Sequence, residues 1–571
     1  MSRRFLTGDG HVAGVVGGGS VRGHPGLIYL AAAVLGGLGF LVLSLLRAEG
    51  FATYGQIPLG DAAQALNALS LFAEDPAWRW PLFTLHHPGR DQIESLILAD
   101  GIPLYALAVK LLTQLGLQPP LLLTWRLLAM VGQAVVMTWL LRGMGVRRPV
   151  LLLLGAGLAL LMPAYLFRGH ANHLALSAHA VAIAGVAAYF AFRTAPGRTG
   201  APGWTLLLVA SLLVHPYFLA MNAAVFAGWL VQRAAVDRAW RTVAVALGLV
   251  SLGVACAAWA GGYIAAANVT ANEVAGFGHF SMNLLSPVAV TQGWFVPGEP
   301  ILDATGGQYE GYNYLGLGVL GLLALALVGQ RRTAPRAIAR NCGLVAAAVG
   351  LTVFAASQAV YFGPWRIADL SVVFDPISTL SEMFRSSGRF FWPVGYLLLG
   401  VAVAGVAGVW PRRFGASVAL ALGVFAVQAA DVSPMAQRWF DTPTSGFNHP
   451  DWQRVFRQHV RLQVHPVSGC TRTYEERFIN PEYAYAARRA GLTTNTYPAA
   501  RSDDNCGAGV AALQTGELAP GTLYLFHDSV TTRAQVMEVL GADVCRRFRE
   551  SFVCSGRMPR IAPVPFFEPL R

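Results

Sequence analysis

Long apolar runs separated by short basic turns dominate the chain. The first is residues 27–46, LIYLAAAVLGGLGFLVLSLL. It is long enough to cross a bilayer, and longer than the apolar core of a signal peptide, so it reads as a retained anchor. Further runs lie at 119–141, 149–167, 174–192, 204–216, 217–232, 242–263, 312–330, 342–362, 391–409 and 414–430. A span needs roughly 20 apolar residues, so the pattern predicts a polytopic α-helical membrane protein with about 11 transmembrane helices.

Basic residues collect on the cytoplasmic side of spans, which tests this reading. With Arg3, Arg4 and Arg22 inside, the later clusters all fall inside too. These are Arg142/Arg147/Arg148, Arg193/Arg198, Arg233/Arg238/Arg241, Arg331/Arg332/Arg336/Arg340 and Arg412/Arg413. Two assignments make this work. Residues 101–117, GIPLYALAVKLLTQLGL, are taken as a helix lying in the outer interface, because counting them as a span puts Arg147 and Arg148 outside. The run 204–232 is split into two short helices at His215-Pro216-Tyr217, where proline interrupts a helix. The expected organisation is a cytoplasmic tail 1–26, a transmembrane domain 27–430 with a first outer loop 48–118, and an outer soluble domain 431–571. Strand-like runs such as TLYLF at 522–526 make the last an α/β module.

Composition supports this class. Of 571 residues, 13% are charged and 54% hydrophobic, and the mean hydropathy is +0.48. Soluble domains carry roughly 25% charge, so an ordinary soluble enzyme is excluded. The net charge of +12, from 42 basic and 30 acidic residues, comes from arginines between apolar runs, so it signals topology rather than nucleic acid. A pore, a transporter or a membrane enzyme remains. Cys256 and Cys342 fall in spans and read as small buried residues. Cys470, Cys506, Cys545 and Cys554 lie in the outer domain, where an oxidising compartment allows disulfides. Four cysteines allow three pairings. Cys545 and Cys554 flank a hairpin-like stretch, which favours that pair together with Cys470–Cys506. Asn268-Val269-Thr270 is a glycosylation sequon.

Candidate chemistry sits in the outer segments. In GDAAQALNALSLFAED (60–75), Asp61 reads as an N-cap, with Gln64 completing a capping box. A carboxylate held at a helix N-terminus also suits a general base or a metal ligand. Glu74, Asp75, Asp91, Glu94 and Asp100 follow. Most read as solvated charges and Asp100 as a cap on the interfacial helix, while one of them is a candidate second ligand for a divalent cation. Cationic groups gather on the same side: Arg126 near the outer end of its span, and Arg168, His170, His173 and His179 in FRGHANHLALSAH. His215 and Tyr217 stand at the broken helix pair. Arg385 and Arg389, one helical turn apart in EMFRSSGRFFWP, suit either bidentate phosphate binding or anchoring at the membrane edge.

A first span, a long outer loop with an early acidic residue and a split helix pair together resemble the GT-C glycosyltransferases, which use polyprenyl-phosphate-linked sugars. GDAAQALNALSLF, DGIPLYALAVKLL, FRGHANHLALSAH, VHPYFLAM, EGYNYLGLG and FRSSGRFFWP resemble a bacterial family of such proteins over roughly residues 27–430. The resemblance implies a GT-C-like fold in a bacterial inner membrane, with the N-terminus cytoplasmic and the C-terminal domain periplasmic. It implies Asp61 as the catalytic carboxylate. It also implies Gln64, Asp100, Arg126, Arg168, His170, His215, Tyr217, Arg385 and Arg389 as residues that bind a polyprenyl-phosphate-linked sugar and a glycan, lipid or protein acceptor. Two departures bear on the phosphate site. Gly101-Ile102-Pro103-Leu104 stands where enzymes resembling aminoarabinose transferase have Lys-Pro-Pro-Leu, and His215 stands where they often carry lysine. Metal dependence, on Mg or Mn, stays open. The alternatives are a transporter or flippase of lipid-linked glycans and a non-catalytic membrane scaffold. Transporters usually carry internal repeats, and none is found here.

Overall fold

The structure, a computed structural model, describes residues 25–46, 50–90, 92–170, 173–193, 197–266, 276–289, 302–331, 334–440, 444–471, 473–499, 506, 510–561 and 563–570. The N-terminal arginines and the sequon at 268–270 lie outside the described residues.

The first ten helices are α1 (Pro25–Leu45), α2 (Gly60–Glu74), α3 (Pro103–Gln114), α4 (Leu121–Gly143), α5 (Pro149–Leu160), α6 (Pro163–His170), α7 (His179–Arg193), α8 (Gly197–Val214), α9 (Pro216–Val231) and α10 (Trp240–Gly261). Then come α11 (Tyr263–Ala266), α12 (Leu317–Gln330), α13 (Ala334–Arg340), α14 (Cys342–Ala356), α15 (Ser371–Phe374), α16 (Ser378–Glu382), α17 (Trp392–Val406) and α18 (Phe414–Phe440). Among the described residues, 6 helices are long and apolar enough to cross a membrane, or 7 if the bent pair α5–α6 is one span. Four shorter apolar helices of 10–17 residues, in α7, α8, α12 and α14, account for the remaining expected runs.

Three expected spans change shape. Residues 149–167 bend by 45° between α5 and α6, where Pro163 withholds a backbone donor. Run 342–362 ends as a helix at Ala356, because Ser357 turns to φ 66° and Ala359–Phe362 becomes a strand. The helix expected to end at 430 runs on to Phe440. Its buried Asp431 accepts hydrogen bonds from the Tyr314 hydroxyl (2.8 Å) and from the Leu317 N–H (2.9 Å) at the start of α12. The break at His215 falls between α8 and α9 as expected. His215 caps α9, its Nδ1 accepting the Tyr217 N–H at 3.2 Å.

The bundle has two unlike ends. At one, Arg142 lies 5.4 Å from the Tyr29 ring, Arg193 donates to Asn341 at 2.5 Å, Arg233 donates to the Arg193 carbonyl at 3.3 Å, and Arg148 reaches the Trp410 carbonyl at 2.8 Å. The arginines of three separate turns therefore share one end. The N-termini of α4, α7, α9 and α17 lie at the other. There α3 turns Tyr105, Ala106, Val109 and Lys110 inward and leaves Leu104, Leu111 and Leu112 exposed. Cys256 is exposed on α10, which corrects its expected burial, and Cys342 is half-buried.

Helices α9 and α14 touch backbone to backbone. A Cβ on Gly343 would lie 2.1 Å from the Gly228 carbonyl oxygen, and a Cβ on Gly228 would lie 2.4 Å from that of Gly343. No flexible side chain can yield there. Gly343→Ala is expected to part the two helices and cost about 1–3 kcal/mol, the range for overpacking, read as a lower unfolding midpoint in detergent.

Two hairpins, β1 (Thr84–His86) with β2 (Ile93–Ser95) and β3 (Ala359–Phe362) with β4 (Trp365–Asp369), decorate the same end as α3. The C-terminal unit holds β5 (Arg461–His465), β6 (Thr493–Thr494), β7 (Thr522–His527), β8 (Cys545–Phe548), β9 (Ser551–Cys554) and β10 (Glu568–Pro569) in one sheet, ordered β10-β8-β9-β7-β5-β6. Central β7 is buried on both faces: Leu523 and Leu525 join one core, Tyr524 and Phe526 another. Helices α19 (Pro450–Phe456), α20 (Tyr474–Arg489), α21 (Ala511–Thr515) and α22 (Arg533–Val539) cover it. Both preferred disulfides form. Cys545 and Cys554 are direct cross-strand partners, and Cys470 joins Cys506.

This unit docks on the segment between α1 and α3. Helix α20 packs on α2, the Ser445 N–H donates to the Ile57 carbonyl at 2.8 Å, Arg489 reaches the Gly55 carbonyl at 2.6 Å and the Tyr497 hydroxyl reaches the Ser95 carbonyl at 3.1 Å. His87 is buried there with its ring edge-on to Tyr497. Burial, then Arg90 and Arg488, pushes its pKa down to about 4. A histidine kept neutral in the folded state stabilises above its ordinary value of 6.5, and that contribution fades as pH falls from there toward 4. Hydrogen exchange at 87–90 and 495–497, divided by its base-catalysed intrinsic rate, is therefore expected to rise as pH falls from 7 to 5 in the wild type but not in His87→Phe.

Candidate functional site

The site grows from a tight loop. The Asp303 carboxylate gathers the backbone N–H groups of Thr305 (3.1 Å), Gly306 (2.8 Å) and Gln308 (2.9 Å), and this turn leads into Glu310. Gly311 then meets Gly388 so closely that a Cβ on Gly388 would lie 2.4 Å from the Gly311 Cα. Asn313 bridges the two segments, donating to both the Gly311 and Gly388 carbonyls at 2.9 Å. Arg389 is thereby delivered to Glu310.

Glu310 Oε2 accepts from Arg389 Nε (3.0 Å) and Nη2 (2.8 Å) and pairs with Arg168 Nη2 at 2.8 Å. Two guanidiniums against one carboxylate leave one positive charge in a buried place. Burial opposes ionisation of Glu310, but Arg168 and then Arg389 override it and hold the carboxyl well below the usual range. Nε and Nη1 of Arg168 have no hydrogen-bond partner among the described residues. Arg126 donates to the Gly169 carbonyl at 3.2 Å and so steadies the end of α6 that carries Arg168.

Two carboxylate–imidazole pairs flank this cluster. Asp61 Oδ2 lies 3.1 Å from His173 Nδ1, and Asp100 Oδ1 lies 3.5 Å from His215 Nε2. Burial, with smaller opposing and reinforcing charges from Asp61, Arg168, Glu310 and Arg389, lowers the His173 pKa, so its neutral form dominates at neutral pH. His173 is thus in electrostatic reach of both Asp61 and the arginine cluster. His215 Nδ1 is occupied as an acceptor, which assigns the ring proton to Nε2, facing Asp100. For Asp100, desolvation is outweighed by the hydrogen bond and charge of His215, and its pKa falls.

The expected caps are corrected. Asp61 lies inside the first turn of α2, whose N-cap is Leu59 with no side-chain bond; α3 is capped by Ile102, not Asp100. Asp100 (φ 55°) and Ile102 (φ 52°) both adopt the left-handed conformation, which is costly for a β-branched residue and aims Asp100 at His215 rather than along α3.

Tyr217 links the pieces. Its hydroxyl accepts the Ser386 N–H at 3.0 Å, and its ring covers Arg389 at 5.0 Å. Arg385 parts from Arg389 and packs over Phe280 at 5.7 Å. Arg385 precedes the 3₁₀ segment Ser387–Phe391, and Ser386 between the two arginines (φ −92°, ψ 68°) leaves the helical conformation, so they share no helix face. Gln64 is buried on α2, one turn beyond Asp61, and no described bond joins it to the ion pairs. The His170 side chain lies outside the described residues. His179 is a core histidine, stacked on Trp392 at 4.1 Å with Nδ1 2.9 Å from the Tyr396 hydroxyl. Glu310 was absent from the expected site. The available signal was electrostatic: Arg168 and Arg389 at the edge of apolar helices require a counter-ion, and EGYNY supplies one. Among the described residues no group of three His, Cys, Asp or Glu stands where it could hold a metal ion.

An apolar groove of about 540 Å³ leads away from this cluster between α9 and α14. Ala220, Ala224, Gly228 and Gly350 keep its walls low, and Phe384 and Phe390 stand at its head, 5.2 and 5.8 Å from the Tyr217 ring.

These features define a helical membrane protein with a charged site at one end of its bundle and a docked sheet domain. The chain belongs to the family described as a domain of unknown function (DUF6311), which matches residues 30–433, and the DUF6311 C-terminal domain matches residues 451–556. No curated protein matches it.

Proposed function

We propose that the chain is an inverting GT-C-type glycosyltransferase. It moves a sugar from a polyprenyl phosphate to a cell-envelope glycan, lipid or protein on the periplasmic face of a bacterial inner membrane. The observation that carries this reading is that His173, 3.1 Å from Asp61, also feels the charge of a buried, net positive arginine cluster, which lies near the head of an apolar groove. The groove suits an isoprenoid chain, the cluster suits the phosphate to which it is joined, and Asp61 suits an acceptor hydroxyl.

In this mechanism the Asp61 carboxylate takes the acceptor O–H proton. The acceptor oxygen bonds to the anomeric carbon from the face opposite the phosphate, and the anomeric C–O bond breaks with its electron pair remaining on the phosphate oxygen. Polyprenyl phosphate leaves with one more negative charge, which Arg168 and Arg389 stabilise. Neutral His173 donates to Asp61 and keeps the carboxylate aimed.

The test is the purified protein in vesicles with a polyprenyl-phosphate donor labelled in the sugar and an envelope extract as acceptor. The reading expects label in the acceptor, matched by released polyprenyl phosphate, with the anomeric configuration inverted. Passage of intact donor across sealed vesicles without its cleavage would replace this reading with a transporter.

A further inference from the structure

The stretch joining α14 to α17 presents an apolar surface to the outside. Every residue of β4 is exposed, including Trp365 (66%) and Ile367, and Phe362, Val372 (82%), Val373 and Leu380 continue the surface. This is not a loose loop. Gly363 at the hairpin turn is clamped by Asn283, whose Nδ2 donates to the Gly363 carbonyl at 2.7 Å and whose Oδ1 accepts its N–H at 2.9 Å. Phe374 is buried beneath it against Phe277 and Phe354. The fold therefore holds these apolar side chains outward. The hairpin's main charges cancel, because Arg366 pairs with Asp369.

A contiguous exposed apolar patch marks an interaction surface. Its place in the fold names the occupant. Exposed Val349 and Val353 on the flank of α14 lead toward it, and its Leu380 lines the groove beside Gly350 and Phe354. The patch is thus continuous with the apolar flank of the helices and sits at their site end, where an exposed tryptophan belongs at headgroup level. We propose that residues 362–383 form a foot that dips into the membrane leaflet on the site side, with lipid acyl chains as its partner. The foot sets the depth of the bundle and holds the mouth of the groove, at Leu380 and Phe384, open to lipid. This does not depend on the transfer reaction.

The test uses the full chain with Cys256→Ala and Cys342→Ala, its disulfides intact, carrying single spin labels at Trp365→Cys, Ile367→Cys, Val372→Cys or Val373→Cys in phospholipid vesicles. Glu517→Cys, exposed in the C-terminal unit, is the aqueous reference. All four positions are exposed, so packing is untouched, and four independent sites guard against the loss of one. The expected result is a ratio of oxygen to water-soluble nickel collisions several-fold above that of Glu517→Cys. A ratio equal to the reference at all four would overturn the foot. Protection from both reagents would also overturn lipid as the occupant and point to a protein partner such as a second copy.

Discussion

Asp61→Asn is expected to slow sugar transfer by about 10²–10⁴-fold, the range for loss of a general base, while donor binding stays near wild type. Asparagine is isosteric, and its carbonyl still accepts from His173, so α2 and its contact at 3.1 Å persist. Only the capacity to take a proton goes. The two effects separate in steady-state kinetics: kcat falls and KM holds when a group acts only on the chemical step. Equal rates for the two proteins would remove Asp61 from the chemistry and send the search to Asp100, the other carboxylate paired with an imidazole.

Glu310→Ala is expected to have the largest effect on stability. It strips the counter-charge from two buried guanidiniums, and removing one partner of a buried ion pair costs about 3–5 kcal/mol. Its pH dependence follows from the depressed pKa. The stabilisation is complete above the ordinary carboxyl value of 4.5 and is lost as pH falls through it toward the lower folded-state value, where Glu310 takes up a proton. Thermal unfolding in detergent should therefore show wild type losing its advantage over Glu310→Gln as the medium is acidified below pH 4.5, with the two curves parallel above it. Curves that stay parallel throughout would mean that Glu310 does not carry the pairing charge.

Much of the architecture was legible because its signals are local. An apolar run of about 20 residues names its own helix, Pro216 breaks the helix pair by lacking a donor, and the β-favouring run TLYLF becomes strand β7. The pairing of Cys545 with Cys554 was legible for the same reason, since a short hairpin brings its ends together. Asp61, Asp100, Arg168, His215, Tyr217 and Arg389 were each singled out from their own surroundings, and they do gather at one end of the bundle.

Partnerships were another matter. Asp61 and Asp100 carried the signature of helix caps, yet each faces a histidine brought from elsewhere in the chain. Glu310 carried no local signature, and only the approach of Gly311 to Gly388 sets Arg389 on it. Arg385 and Arg389 matched helical spacing, but the non-helical Ser386 between them breaks that register. The sequence by itself determined which segments are apolar helices, where they break and which end of each carries the arginines. Those properties follow from hydration and backbone sterics within a few neighbouring residues. Which charge meets which was decided by the tertiary structure alone. A buried ion pair is defined by distances of about 3 Å between groups far apart in sequence, and only packing brings them to that range.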